Sequence, residues 1–128
     1  MRIILLMILL AAASNNAMAG WVKVGGNDAD TLYAEPTSVI KSAYKVKMQS
    51  LHDFKMALKV AGDTFLSAIV QEEYDCKGNQ SRALYFSFHS KNLGRGRKIY
   101  ADTDPHKWEP VRPGSVRATL WEFACKRK

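Results

Sequence analysis

The hydrophobic pattern repeats with a period of two, and this feature most limits how the chain can fold. From Lys45 to Phe54 the side chains alternate, and one predicted face consists of Val46, Met48, Ser50, His52 and Phe54. Such alternation is typical of a β-strand. Similar short runs follow one another from residue 20 to residue 102, without room for crossover helices between them. Neighbouring strands are therefore expected to run antiparallel, as a meander.

Turn residues separate this region into individual predicted strands. In chain order these strands are GWVKVGG, TLYAE, KVKMQSLHDF, GDTFLSAIVQEEYDC, RALYFSFHS and KIYAD. Between the second and third strands, EPTSVIKS is predicted to form a single helical turn, because a proline is followed by Ser and Thr. In RALYFSFHS, Leu84, Phe86 and Phe88 are predicted to line one face, and Ala83, Tyr85 and Ser87 the other.

The end of the chain changes to a helical pattern. In SVRATLWEFAC, Ser115 is a suitable N-cap, and the apolar stripe consists of Val116, Leu120, Trp121, Phe123 and Ala124. A stripe of this kind packs against another element. The predicted fold class is α+β: an antiparallel β-sheet of about six strands with a C-terminal helix packed on it and one disulfide.

The first 19 residues have the composition of a secretory signal peptide. Arg2 precedes an apolar run from Ile3 to Ala13, and Ala17-Met18-Ala19 forms an A-x-A end. The apolar run is too short to span a bilayer, which takes about 20 residues; the alternative is an uncleaved N-terminal anchor. We expect residues 1–19 to be a signal peptide and residues 20–128 to form one soluble domain. That domain would be exported to the periplasm, the cell surface or the medium.

The sequence contains two cysteines, Cys76 and Cys125. They could be buried thiols, a redox pair, half of a metal site or one disulfide. Export places them where thiols oxidise, their spacing does not fit a CxxC motif, and zinc would need more ligands at short intervals. A disulfide is therefore predicted. It would stabilise the fold by about 4 kcal/mol on the chain-entropy model and would hold the C-terminus.

The chain is basic, with a formal net charge of +7. An exported basic domain is expected to meet acidic glycans, lipid head groups or acidic protein surfaces, and not nucleic acid. The segment KNLGRGRK contains the candidate anion-binding or partner-binding residues, Lys91, Arg95, Arg97 and Lys98. Its glycines predict a flexible loop, and Arg matches sulfate and carboxylate groups. The alternative is a solvated hairpin loop.

No pattern in the sequence predicts an enzyme, a cofactor or catalytic residues. His52 and Asp53 are adjacent, so on a strand they point to opposite faces. His89 is expected to hydrogen-bond a loop carbonyl, and no G-x-S-x-G motif is present.

Two acidic segments were considered as metal sites. Asp102, Asp104 and His106 alternate in ADTDPHKW, but an Asp-Pro turn accounts for them more simply than a metal. GNDAD is predicted to be a turn on the same grounds. No metal site is therefore predicted.

Several motifs in a fixed order resemble the surface-adhesin protein E-like domain family of small exported bacterial domains. The order is W-V-x-V, LYAEPTSV, KVKMQSLHDFK, EEYDC, WEPVRPGSV and ATLWEFAC. The residues that carry the resemblance are Trp21, Tyr33, Pro36, Cys76, Trp108, Pro110, Pro113, Gly114 and Cys125. The resemblance implies a mainly antiparallel sheet, a C-terminal helix and a disulfide that joins the helix to the sheet.

The resemblance also implies a function. The adhesin that names the family is a lipoprotein that binds host laminin and vitronectin through a basic stretch around its first cysteine. Here the stretch before Cys76 is the acidic IVQEEYD, and no cysteine lies at the predicted cleavage site. We therefore expect a non-enzymatic bacterial binding domain for extracellular matrix proteins or anionic glycans, with homodimer formation left open. The alternative is a periplasmic or envelope-associated accessory domain without adhesive activity.

Overall fold

A computed structural model describes residues 20–126 of the 128-residue chain. The predicted signal peptide and the last two basic residues lie outside the described residues. The strands are β1 Val22–Gly26, β2 Asp30–Ser42, β3 Lys45–Val60, β4 Asp63–Asp75, β5 Gln80–His89, β6 Lys98–Asp102 and β7 Glu109–Pro110, and the helix is α1 Val116–Lys126.

All seven strands belong to one antiparallel sheet. Its order is β1-β2-β3-β4-β5-β6, so neighbours in sequence are neighbours in the sheet. The short β7 pairs with the beginning of β5, while β6 pairs with the end of β5. The predicted α+β class and the meander are confirmed.

The prediction of a helical turn in EPTSVIKS is wrong, because β2 continues through this segment to Ser42. The register between β2 and β3 shifts between Glu35 and Ile40. The chain bulges here, where Pro36 has no N–H that could donate a hydrogen bond to β3. The Ser38 side chain bridges β2 and β3 at this bulge. Its hydroxyl donates to the Glu35 carbonyl at 2.6 Å and accepts from the Gln49 N–H at 2.9 Å.

One face of the sheet, the helix face, packs against α1. Its core consists of Leu32, Ala34, Val46, Met48, Tyr74, Leu120 and Ala124. These residues come from β2, β3, β4 and α1, and all are nearly inaccessible to solvent. Of the predicted helix stripe, Leu120 and Ala124 are buried, whereas Val116 is 44% exposed. Val116 is the first residue of the helix.

An aromatic row extends the helix face beyond α1. Phe65 stacks on Phe88 with ring centroids 4.1 Å apart, and Phe54 meets Phe65 edge to face at 5.9 Å. Phe86 and Tyr100 continue the row towards the β6 edge. The row stabilises the half of the sheet that the helix leaves uncovered.

The alternation predicted for β5 holds only in its second half. The register shifts between Gln71 and Glu72 of β4, so that Ala83 pairs with Glu72 and Tyr85 pairs with Gln71. Ala83 and Tyr85 therefore lie on opposite faces, contrary to the prediction. A single extra residue in a strand moves all side chains that precede it to the opposite face of the sheet.

The helix is attached at both ends. The Ser115 hydroxyl accepts from the Ala118 N–H at 3.0 Å, which confirms the predicted N-cap. At the other end, Cys76 and Cys125 form a disulfide with Cα atoms 5.5 Å apart, as predicted. The Trp121 indole N–H donates to the Asp75 carbonyl at 3.0 Å. No helix within residues 20–126 is long and apolar enough to cross a membrane.

Candidate functional site: a basic loop and a cation-rich sheet face

The face of the sheet opposite the helix, the loop face, consists of five rows that run across the strands. In order along β4, these rows are Thr31-Asp53-Ser67-His89, Tyr33-Leu51-Ile69-Ser87, Glu35-Gln49-Gln71-Tyr85, Ile40-Lys47-Glu73-Arg82 and Ser42-Lys45-Asp75-Gln80. The first two rows lie under the segment that follows β5. The other three rows are not covered by this segment.

The covering segment is the basic loop, residues 90–98, that the sequence identified. Its ends are closed by backbone hydrogen bonds from Ser90 N–H to the Arg97 carbonyl, at 2.9 Å, and from Lys91 N–H to the Arg95 carbonyl, at 3.1 Å. Gly94 has a φ of +71°, and a Cβ at this position would lie 2.8 Å from Ile69 Cδ1. Glycine is required here because the backbone turns left-handed while lying directly on the sheet.

Two side chains of the sheet hold the backbone of the basic loop. The Asp53 carboxylate accepts from the Leu93 N–H at 2.7 Å and from the Asn92 amide at 3.1 Å. The Ser67 hydroxyl donates to the Lys91 carbonyl at 2.6 Å and accepts from the Gly94 N–H at 2.9 Å. The loop is thus fastened to the sheet, although its glycines predicted a flexible segment. Local sequence could not indicate this, because both partners lie in strands that are distant along the chain.

The four predicted binding residues remain on the outside of this fastened backbone, and Lys91, Arg95, Arg97 and Lys98 are all exposed. Arg97 pairs with Asp63, the first residue of β4, at 3.1 Å; this acidic neighbour comes from another part of the sheet. That contact lowers the pKa of the Asp63 carboxyl. Within the described residues, the other three cations make no ion pair of 4 Å or less. A depression of about 470 Å³ lies beside them, lined by Leu66, Lys91, Asn92, Arg95 and Gly96.

Polar side chains at the end of β5 support the loop from below. A hydrogen bond of 2.8 Å joins the Ser87 hydroxyl and His89 Nε2, so the partner of His89 is Ser87 and not a loop carbonyl. Burial and then the Lys98 charge lower the pKa of His89. Hydrogen bonding with Ser87, together with Lys98, lowers the pKa of the nearby Tyr85 phenol. Ser87 is 1% exposed, which argues against a role as a nucleophile.

A second group of cations lies at the other end of the loop face, and sequence reasoning missed it. We call it the cation–aromatic ladder; its members are Lys77, Tyr44, Lys45, Trp108 and Arg82. Each ring contacts two cations: Tyr44 contacts Lys77 and Lys45, and Trp108 contacts Lys45 and Arg82. Tyr44 and Lys77 lie in turns, Trp108 in the connector before β7, and Lys45 and Arg82 in β3 and β5, so no local spacing could have indicated the group.

The other sequence candidates for chemistry form local turns. Asp102 accepts from the Asp104 N–H at 2.9 Å and contacts His106 Nε2 at 3.0 Å. These two contacts lower the pKa of Asp102. In GNDAD, the Asn27 side chain accepts from the N–H groups of Ala29 and Asp30. The turn predicted for GNDAD is confirmed, the predicted Asp-Pro turn is seen only as a bend at Asp104, and no group of three or more metal-ligating side chains is found in the described part of the chain.

His52 and Asp53 point to opposite faces, as predicted. His52 lies on the helix face, where its Nε2 is buried without a partner among the described residues, and burial lowers its pKa. Asp53 lies on the loop face and holds the basic loop. The neutral imidazole is the form that this environment favours.

A partly buried polar network below α1 is a further feature that the sequence did not reveal. Arg117 donates to the Ser81 hydroxyl at 2.6 Å and to Glu109 at 2.7 Å, and its Nη1 lies 3.3 Å from Glu72. Burial raises the pKa of Glu72, although Arg117 opposes the shift. Glu109 belongs to β7, so this network joins helix, sheet and connector.

These features define a class of protein: a small α+β domain with a seven-stranded antiparallel meander, one disulfide-linked C-terminal helix and a cation-rich face. Residues 21–126 match the family model for surface-adhesin protein E, and the chain belongs to that family. None of the curated proteins is significantly similar to it in sequence.

Solved structures of protein E from Haemophilus influenzae share the fold. Crystal form II is 13% identical, with a TM-score of 0.69 and coverage of 85% of this chain and 89% of that chain. Another structure of the same protein is 12% identical, with a TM-score of 0.65 and coverage of 85% and 86%. Protein E from a non-typeable strain is 11% identical, with a TM-score of 0.63 and coverage of 87% and 78%. The predicted family and fold are confirmed.

Proposed function

We propose that this surface-adhesin-like domain is an exported, non-enzymatic binding module that attaches to acidic ligands of the extracellular matrix through its basic loop. Acidic glycans and acidic patches of matrix proteins are the ligands that its chemistry fits. Membership of the surface-adhesin protein E family supports a binding role. The disulfide leaves neither cysteine free as a nucleophile.

The observation that carries the proposal is the combination of exposed cations and a fixed backbone. Lys91, Arg95 and Lys98 have no carboxylate partner among the described residues, so their charge is available to a ligand. Asp53 and Ser67 hold the backbone between them. A loop that is already ordered loses less conformational entropy when it binds, and this favours affinity. The guanidinium groups can bind sulfate or carboxylate in a bidentate manner.

The test is retention on immobilised heparin. We expect Arg95→Ser combined with Arg97→Ser to elute at clearly lower salt than the wild type, because two of the four loop cations are removed. Wild-type binding should weaken steeply with salt, since exposed charges are screened within about 10 Å at 0.1 M. Thermal stability should change little, as is usual for exposed loop substitutions.

The matched control is Arg112→Ser combined with Lys126→Ser. It removes the same charge from exposed positions next to and within α1, away from the loop face. A general effect of net charge would lower the retention of both double variants equally. Equal elution of the two variants, or unchanged elution of the loop variant, would refute the basic loop as the binding site.

A further inference from the structure

We propose that the cation–aromatic ladder is a second anion subsite, and that loop and ladder together bind one linear sulfated polysaccharide along the loop face. This inference rests on the proposed function of the basic loop. It adds to that function a second site, a direction for the ligand and a ligand class.

The ladder holds cations in fixed places. Lys77 Nζ lies 5.3 Å from the Tyr44 ring centroid, and Lys45 Nζ lies 5.8 Å from Tyr44 and 5.3 Å from Trp108. Arg82 Cζ lies 4.7 Å from the centroid of the Trp108 ring. Attraction to the ring faces restricts side chains that would otherwise move freely. A ligand that binds such pre-positioned cations orders fewer side chains, and this raises affinity.

The carboxylates near the ladder are already occupied. Asp75 accepts from the N–H groups of Lys77 and Gly78 and from the Gln80 amide, and these bonds lower its pKa, with a smaller effect from Lys45. Glu73 is paired with Arg82 at 2.9 Å. Lys77 is exposed and makes no ion pair within residues 20–126. Lys77 therefore presents unpaired positive charge to solvent, whereas the charge of the half-buried Arg82 is balanced by Glu73.

Strand register places the ladder and the basic loop on the same face. The loop is bound to Ser67, in the first row, and the ladder lies at the last two rows, where Lys45 pairs with Asp75 and Arg82 with Glu73. Eight residues of β4 separate Ser67 from Asp75, a distance of about 26 Å at about 3.3 Å per residue. A ligand that touches both groups must reach over this length.

The surface between the two groups is mainly polar and carries few unpaired negative charges; an exposed apolar side chain on it is Ile40, beside Lys47. Its middle row contains Gln49, Gln71 and Tyr85, whose amides and phenol can hydrogen-bond hydroxyl groups. Lys47 is exposed in the next row. The acidic residue of the middle row is Glu35, in β2 on the far side of Gln49 from β4 and β5. Asp53 lies below the loop and is occupied by its backbone.

This arrangement fits a linear sulfated polysaccharide better than an acidic protein patch. Such a chain carries anions along its length to meet both cation groups, and hydroxyls between them to meet the amides of the middle row. Binding at two joined subsites raises the effective concentration at the second, so the combined affinity can exceed either one by about 10²-fold or more. That gain requires a ligand long enough to span the subsites.

The experiment measures affinity for size-defined heparin oligosaccharides with three double variants. These are the loop variant R95S/R97S, the ladder variant K45S/K77S and the control R112S/K126S. Wild-type and control affinity should rise at least about tenfold once the oligosaccharide exceeds about 26 Å. In the ladder variant this rise should disappear, while binding of shorter oligosaccharides stays within about twofold. K45R/K77R should restore the rise, and K77S alone, at an exposed turn, should reduce it if the double variant proves unstable.

The outcomes separate this inference from the proposed function. If the loop variant binds weakly at all lengths but the wild type shows no length-dependent rise, the ladder subsite is refuted and the basic loop stands. If neither loop nor ladder variant differs from the control, both are refuted. If the ladder variant alone loses binding, the loop site fails, and the two-subsite proposal fails with it. A rise that persists in K45S/K77S also overturns the proposal.

Discussion

Glu72 shows how one buried residue can make stability depend on pH. Its carboxylate lies 3.5 Å from the Ser81 hydroxyl and 3.3 Å from Arg117, beneath the first turns of α1. Burial raises its pKa in the folded protein. Because the folded state holds the proton more tightly than the unfolded state does, this residue stabilises the fold most at low pH. That contribution is lost as pH rises from the unfolded value of 4.5 through the folded pKa.

We predict that Glu72→Gln removes this pH dependence. The amide keeps the size of the side chain and cannot ionise, so the variant should gain stability relative to the wild type as pH rises from 4 to 7. Urea unfolding at several pH values measures the difference. The carboxylates with lowered pKa, such as Asp63 and Asp75, act in the opposite direction but are present in both proteins, so they cancel.

Glu122→Gln is the control for this measurement, because Glu122 is an exposed residue of the same helix. Its difference from the wild type should change much less with pH. The difference in free energy of unfolding between Glu72→Gln and the wild type could instead stay constant or shift in favour of the wild type as pH rises. Either result would contradict the claim that burial raises the pKa of Glu72.

At the scale of elements, the C-terminal half of the helix has two specific attachments to the sheet. The disulfide and the bond from Trp121 to Asp75 both lie there. We predict that Cys76→Ser combined with Cys125→Ser lowers the free energy of unfolding by about 4 kcal/mol. Hydrogen exchange should then increase first near residues 121–126, since the other end keeps its Ser115 cap and its Arg117 contacts. Uniform loss of protection along α1 would show that the disulfide does not act locally.

The basic loop offers a second element-scale prediction. Asp53→Ala removes the acceptor for Leu93 N–H and Asn92, so local opening of the loop should become easier by about 2 kcal/mol, the value of a charged hydrogen bond. Exchange of the Leu93 and Gly94 amides should accelerate, and heparin retention should fall because the cations lose their fixed positions.

Asp53→Asn is the matched variant, because its amide oxygen still accepts from Leu93. It should keep most of the protection and most of the retention. If Asp53→Ala loses protection but retains full heparin binding, ordering of the loop does not contribute to affinity, and only its charge matters.

At the scale of the whole molecule, the adhesin proposal requires the domain to reach the cell exterior. We predict that cell fractionation finds the protein at the surface or in the medium, and that non-reducing mass spectrometry finds a linked peptide containing both cysteines. Protein confined to the periplasm would favour the accessory-domain alternative. Free thiols in exported material would contradict the oxidised state in the structure.

Features that depend on local patterns could be predicted from the sequence alone. Period-two alternation predicted the strands, short connections predicted the meander, and Ser115 with its following stripe predicted the helix. Two cysteines in a chain that is expected to be exported predicted the disulfide. These succeed because the physical cause lies within a few residues or in the compartment. The candidate cations of the basic loop were also visible, since clustered charge is a property of composition.

The way in which these elements contact one another depends on tertiary structure. EPTSVIKS forms a strand because it pairs with β3 and because the Ser38 hydroxyl accepts a hydrogen bond from β3 at the bulge. The basic loop became fixed because Asp53 and Ser67 lie beneath it, about 25 to 40 residues away in sequence. The ladder exists because the register of β3, β4 and β5 brings Lys45 and Arg82 to Trp108. Such contacts depend on strand pairing between distant segments, and no short pattern of residues encodes them.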